Sequence, residues 1–210
     1  FLLHYWNFFS ETEKYSAISA EMLRSGCFFM KRNLFFLKRK LFSMNDAYFM
    51  RKALEQAKTA LAAGEFPVGC VVADKTRVVA TGARTGSAGF QPNELDHAEI
   101  NALRNLQAIG YSGSNKDLTL YSTMEPCLMC FGAIILNMIP RIVYAYEDVM
   151  GGGTRCRRAE LPPLYADAPI EIIPDLMRRE SLALFKSFFS DPGQTYWQDS
   201  LLAQYTRSQE

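Results

Sequence analysis

Histidine is nearly absent from this chain of 210 residues: His4 and His97 are the only two, so any imidazole chemistry must rest on one of those positions. Cysteine is sparse too. There are five, an odd number, which excludes a small fold stapled by paired disulfides. Neither sign of charge dominates. With 23 Lys and Arg against 22 Asp and Glu, the formal net charge is +1, which argues against nucleic-acid binding by bulk electrostatics while leaving room for a local basic patch. There is no internal repeat, no low-complexity tract and no apolar run long enough to span a membrane. What is present is an ordinary globular composition, 49% hydrophobic and 21% charged, which excludes disorder and collagen. At this length one domain is the default, large enough to bury roughly 70% of its unfolded surface.

The averages hide an uneven chain. Residues 1–43 carry 11 of the 27 aromatics, with seven Lys and Arg against three Asp and Glu, so this segment is +4 and the rest −3. The chain opens on Phe1, and Met44 directly precedes a well-formed helix start. Residues 1–43 are therefore expected to be an extension outside the native protein, followed by a domain at 44–190 and a tail at 191–210 packed on it. A competing reading makes 28–42 a basic, aromatic surface helix touching membrane or RNA. Lys31, Arg32, Lys38, Arg39 and Lys40 break the stretch into pieces too short for a secretory signal. Without such a signal, the odd cysteine count points to a reducing compartment, the cytoplasm.

From Met44 onward helical and strand patterns alternate. Asn45 is a candidate N-cap for a helix over 46–63, with Ala47, Met50, Leu54, Ala57 and Leu61 at helical spacing and Gly64 as its stop. A buried run at 68–73 meets 77–83 across Asp74-Lys75-Thr76, a hairpin pattern. Helices are predicted at 97–109, 126–138 and 175–189, strands at 118–122, 141–146 and 170–173, and one more short helix within 196–205. The alternation predicts an α/β fold, in which ligands bind near strand ends and helix starts.

Two motifs sit at such helix starts. In Pro126-Cys127-Leu128-Met129-Cys130 the cysteines stand three apart, which puts both sulfurs on one face of a first helical turn. Pro126 suits the first helical position, whose N–H needs no partner, and the positive helix end favours thiolate. Upstream, His97 is followed two residues later by Glu99. Two thiolates and one imidazole give Zn²⁺ three protein ligands, and three ligands leave the fourth position open, as catalytic rather than structural sites do. Cys70, in a predicted buried strand, reads as a packed residue, and Cys27 and Cys156 have no assigned role. A redox Cys-x-x-Cys pair is the alternative, and it leaves His97 and Glu99 idle.

His97-Ala98-Glu99 followed by Pro126-Cys127-Leu128-Met129-Cys130 resembles the signature of the zinc-dependent cytidine and deoxycytidylate deaminase superfamily. The likeness runs from about 46 to 189. It takes in Gly64-Glu65-Phe66-Pro67-Val68-Gly69, 96–104 and Tyr121-Ser122-Thr123-Met124-Glu125, and is greatest to the bacterial tRNA adenosine deaminases. The resemblance implies a three-layer α/β/α fold around a mixed sheet, and a hydrolase that replaces an exocyclic amine of a nucleobase with oxygen and releases ammonia. It implies Zn²⁺ on His97, Cys127 and Cys130, generating hydroxide by lowering the pKa of bound water to about 7. Glu99 would then carry protons between that water and the substrate. It further implies substrate contacts from the backbone around Cys70 and Glu125, and pocket walls from Phe66, Val68 and Met124, all of which also read as core residues. A homodimer is the expected assembly, with no membrane partner.

Two positions depart from the family. Where its members carry an asparagine after the second strand, this chain has Arg84, a side chain suited to phosphate or carboxylate, so an anionic substrate enters the range; Asn93 is the alternative source of the amide. The loop 151–158 combines three glycines with Arg155, Arg157 and Arg158, a candidate grip on an RNA backbone or a nucleotide phosphate. The leading expectation is deamination of adenosine to inosine in tRNA. The alternatives are a deaminase of a free base, nucleoside or nucleotide (guanine, cytosine, CMP or dCMP) and a zinc-stabilised binding module without turnover.

Overall fold

The computed structural model describes residues 45–89 and 91–210. The expectations for 1–43, including the start at Met44, the helix at 28–42, His4 and Cys27, lie outside the described residues.

Five strands form one mixed sheet in the order β2-β1-β3-β4-β5. They are β1 (Gly69–Ala73), β2 (Val78–Ala83), β3 (Thr119–Met124), β4 (Arg141–Tyr146) and β5 (Glu171–Ile173). β1 pairs antiparallel with β2, as the Asp74-Lys75-Thr76 turn requires, and antiparallel with β3 on its other edge, whereas β3, β4 and β5 run parallel. Parallel neighbours need crossovers. α3 (Leu128–Leu136) joins β3 to β4, and the short α4 (Pro163–Ala166) lies between β4 and β5. The other helices are α1 (Asp46–Ala62), α2 (Ala98–Ala108), α5 (Arg178–Ser190) and α6 (Leu201–Ser208).

Strand alternation sorts the core. Val71, Ala73, Tyr121, Val143 and Ala145 cluster with Phe49, Met50, Ala53 and Leu54 of α1. Their neighbours Cys70, Val72, Leu120 and Ile142 cluster with Ala98 and Ala102 of α2 and Phe131 and Ile134 of α3. Side chains of successive strand residues leave opposite faces, so the sheet is covered on both sides, and the fold is α/β with helical layers. Gly82 sets the depth of one layer: a Cβ there would stand 2.2 Å from the Ala98 carbonyl and 2.4 Å from the Ala102 nitrogen. No side chain fits between β2 and the start of α2. The tail contributes Tyr196, Leu202 and Ala203 to the core.

Several ends differ from the sequence reading. Asn45 sits at the N-cap of α1 but makes no side-chain cap; its amide donates to the Lys75 carbonyl at 3.1 Å, across to the hairpin. α3 starts at Leu128 with Cys127 as N-cap, so Pro126 precedes the helix instead of opening it. That helix ends two residues early, before Met138, which takes a left-handed φ of 56°. α5 begins at Arg178, because Asp175 and Met177 also take positive φ. β3 continues to Met124, and the tail helix spans 201–208.

Candidate metal centre

α2 and α3 aim their N-termini at one point. His97 and Cys127 are the N-cap residues, and neither side chain caps its own helix. Instead, His97 Nδ1 lies 3.5 Å from both Cys127 Sγ and Cys130 Sγ. These three donors form the one such group among the described residues, all within 4.8 Å of one another. Ligand bond lengths of about 2.0 Å to nitrogen and 2.3 Å to sulfur, at tetrahedral angles, put the two donors about 3.5 Å apart. Donor chemistry and spacing therefore both fit Zn²⁺, which is the cofactor of this centre.

The thiol pair is electrostatically split. A hydrogen bond from Cys130, set against burial and reinforced by His97, pushes Cys127 down to about 4, while donating that bond, together with burial, pushes Cys130 up. Burial alone would lower His97, but its hydrogen bond to Cys127 and the charges of Glu99 and Cys127 raise it overall.

Glu99 lies in the first turn of α2, two residues after His97, and is 3% exposed. Its carboxylate accepts from Ser122 Oγ at 2.9 Å, and Cys130 Sγ lies 3.6 Å from its other oxygen. Burial raises its pKa. The chain thus holds a buried carboxyl beside the metal ligands with a proton affinity above that of an ordinary glutamate, the property a proton carrier near neutral pH requires.

A glycine loop braces the ligands. Cys127 forms an isolated antiparallel bridge with Gly152, and the Gly153 amide donates to the Pro126 carbonyl at 2.9 Å. A Cβ on Gly153 would stand 2.6 Å from Leu128 Cα, so only glycine allows this approach. Glu125, fully buried, holds the same loop, with Arg155 Nη2 donating at 2.9 Å, the Asp148 amide at 3.2 Å, and Thr154 Oγ1 to its other oxygen. Its own amide donates to the Tyr146 carbonyl at 2.7 Å.

Of the remaining expected substrate contacts, Phe66, Val68, Cys70, Arg84 and Met124 are all buried. Phe66 is ringed by Phe185, Phe188, Phe189, Tyr196 and Trp197 at centroid distances of 5.2–6.2 Å. Val68 and Met124 are buried in the same cluster. Cys70 is fully buried opposite Ser122, and burial followed by the charge of Glu99 pushes its thiol up. Arg84 requires a correction: its guanidinium is 2% exposed and turned inward, donating to the Thr85 carbonyl at 2.9 Å, the Asn93 carbonyl at 2.7 Å and Glu94 at 3.2 Å. It is not presented to a phosphate. Asn93 does not supply the amide either, since it donates to Asp96 and accepts from the Leu95 amide. The basic loop is likewise reduced, with Arg155 held by Glu125 and Arg157 paired with Glu160 at 2.9 Å.

Sequence reasoning missed Ser122, Glu94 and Tyr196. Ser122 had a signal, a hydroxyl between Leu120 and Met124, the two apolar residues that share its face of β3. Glu94 and Tyr196 had none, because they meet across 102 residues.

Comparison with known proteins agrees with this geometry. A family model described as the cytidine and deoxycytidylate deaminase zinc-binding region matches residues 43–146. The tRNA-specific adenosine deaminase of Haemophilus influenzae is 34% identical over 144 residues, covering 69% of this chain and 83% of that protein. A solved structure from a study of A-to-I editing by tRNA:A34 deaminases at the wobble position of transfer RNA superposes with a TM-score of 0.51 and 29% identity. It covers 60% of this chain and 96% of that one. The guanine deaminase of Nitrosomonas europaea shares the fold, with a TM-score of 0.55 at 23% identity over 68% of this chain and 83% of its own.

Proposed function

The chain belongs to the zinc-dependent cytidine and deoxycytidylate deaminase family, and on that premise we propose that it is a hydrolase converting adenosine to inosine in tRNA. The observation that carries the reaction type is the juxtaposition of Glu99 with three ligand atoms at zinc spacing. Similarity to tRNA-specific adenosine deaminases supports the substrate.

His97, Cys127 and Cys130 would hold the zinc, which when bound supplies a water nucleophile at neutral pH. Glu99 takes a proton from the attacking water and passes it to the ring nitrogen. The second proton, taken from the hydroxyl now on the ring carbon, follows through Glu99 to the leaving amine, so that one C–O bond forms, one C–N bond breaks and ammonia departs. Ser122 fixes the Glu99 carboxylate through one oxygen, leaving the other toward Cys130 and the reacting groups. A base within folded RNA must be splayed out to reach this site. With Arg155 tied to Glu125 and Arg157 paired with Glu160, Arg158 is the cation of the 151–158 loop that has no ion pair among the described residues and is left for the RNA backbone.

We expect a cytoplasmic homodimer. No described helix is long and apolar enough to cross a membrane. α3 exposes Leu128, Met129 and Leu136, an apolar face suited to a second copy, and sedimentation of the zinc-loaded protein at twice the chain mass checks it.

Ammonia release from tRNA, adenosine, guanine, cytosine and cytidylates by the zinc-loaded protein tests the substrate. Inosine in tRNA with no release from the small molecules is the expected result. Release from a free base, nucleoside or nucleotide alone overturns the tRNA assignment, and release from none favours a binding module.

A further inference from the structure

Arg84, Glu94 and Tyr196 converge on the outer edge of His97. The imidazole turns Nδ1 to the sulfurs, so Nε2 points away from the metal position, and Glu94 Oε2 stands 3.8 Å from it. That carboxylate is about half exposed and does not hold its own place by burial. Two groups hold it. Tyr196 Oη donates to both of its oxygens, at 2.9 and 3.1 Å, and Arg84 Nη2 donates to Oε2 at 3.2 Å. The two holders also touch one another, the Arg84 guanidinium lying 5.9 Å from the centre of the Tyr196 ring. Both are themselves fixed. Tyr196 is 8% exposed, stacked on Trp197 at 5.1 Å and packed against Phe66, while Arg84 is buried and donates to the Thr85 and Asn93 carbonyls.

We propose that Tyr196, from the C-terminal tail, is a positioning residue of the metal centre: with Arg84 it holds the Glu94 carboxylate against the outward nitrogen of His97, and thereby fixes the imidazole that faces Cys127 and Cys130. At 3.8 Å the carboxylate is beyond hydrogen-bond length and acts as a negative charge facing the outer nitrogen, which favours the proton there and leaves Nδ1 free for metal. The cation near Tyr196 has the same task. Arg84 is an internal strut, which accounts for a buried guanidinium at this position where an anionic ligand had seemed the reason for it. The tail at 191–200 is thus part of the zinc site, although it lies far from the ligands in sequence.

This inference rests on zinc being held by His97, Cys127 and Cys130, and the experiment separates the two. The full chain is loaded with zinc, and release to a chromogenic chelator is followed for wild type, Tyr196→Phe, Glu94→Gln and the double variant. Cobalt spectra report ligand geometry, and melting of the metal-free proteins reports the fold. Tyr196→Phe keeps the ring, and with it the packing on Phe66 and Trp197, and removes only the hydroxyl. Glu94→Gln should release zinc up to about 10-fold faster, the low end for partners of metal-bound histidines because the contact is longer than a hydrogen bond, and Tyr196→Phe should speed release by a smaller factor with its cobalt bands shifted. The double variant should be no worse than Glu94→Gln alone, because both act through one carboxylate. Wild-type release and spectra for Tyr196→Phe overturn the proposal, as do additive effects that track a lower melting temperature of the metal-free protein. Cys127→Ser retaining full zinc would instead overturn the ligand set.

Discussion

On one face of the sheet Tyr121 reaches Asp46, and on the other its neighbour Ser122 reaches Glu99, so adjacent residues of β3 hold two buried carboxylates in opposite ways. Asp46 is fully buried and accepts from Tyr121 Oη at 2.7 Å and from both Nη atoms of Arg141 at 2.9 Å. Glu99 is 3% exposed and accepts from the Ser122 hydroxyl, with Cys130 Sγ 3.6 Å from its other oxygen, and among the described residues no arginine or lysine pairs with it. Glu125 and Glu147 follow the Asp46 pattern, with Arg155 and Arg178. An unpaired buried anion costs several kcal/mol: the fold pairs Asp46, Glu125 and Glu147 with arginines and gives the buried Asp148 the amides of Met150 and Gly151, while Glu99, whose proton must move, has only the Ser122 hydroxyl and the Cys130 sulfur beside its oxygens. Strain of that kind is tolerated where function requires it.

The largest expected effect breaks the catalytic side of this pair. Glu99→Gln should lower turnover by about 10²- to 10⁴-fold, the usual share of a positioned proton carrier, while keeping about one zinc per chain. The metal-free variant should be at least as stable as wild type, since a neutral amide replaces an unpaired anion. Ammonia release, metal analysis and denaturant melts measure the three quantities. Turnover near wild type would remove Glu99 from the mechanism.

Asp46→Asn should do the reverse. Removing one partner of a buried ion pair costs about 3–5 kcal/mol, and here the lower end is expected because Arg141 keeps Glu171 at 3.0 Å. Turnover per folded molecule should not change. If it falls while the melt is unaffected, the two faces of β3 are coupled and the division between holding and reacting carboxylates is wrong.

The reacting face was far more legible in the sequence than the residues that support it. His97, Glu99, Cys127 and Cys130 stood out because ligand and proton-transfer chemistry restrict residue type and spacing within a few positions of a helix start. The helical and strand periods gave the sheet and its covering helices for the same local reason. Arg84 was conspicuous by type, but its role depended on where Asn93, Glu94 and Tyr196 were carried by the fold. Asp175 and Met177 delay α5 through left-handed backbone that no local preference indicates, and Pro126 precedes α3 because Cys127 is held at the N-cap, facing His97. What depended on contacts between distant segments was not readable from spacing.

The smallest expected effect concerns a cation-paired carboxylate at an edge. Burial pushes Glu147 up, but Arg178, donating through Nε at 2.7 Å and through Nη2, and Tyr205, donating at 2.6 Å, bring it below the ordinary 4.5 overall. A carboxyl lowered in the folded state stabilises above its unfolded value, and that contribution disappears as pH falls through the lower folded value. Glu147→Gln should therefore lower stability by about 1 kcal/mol near neutrality, as expected for a partly screened pair. The gap to wild type should close as pH drops below about 4.5. Melting curves of both proteins across that range measure it. A gap that persists into acid would mean that Glu147 joins α5 to α6 by shape rather than charge, and would set it apart from Asp46, whose pairing with Arg141 is electrostatic at its core.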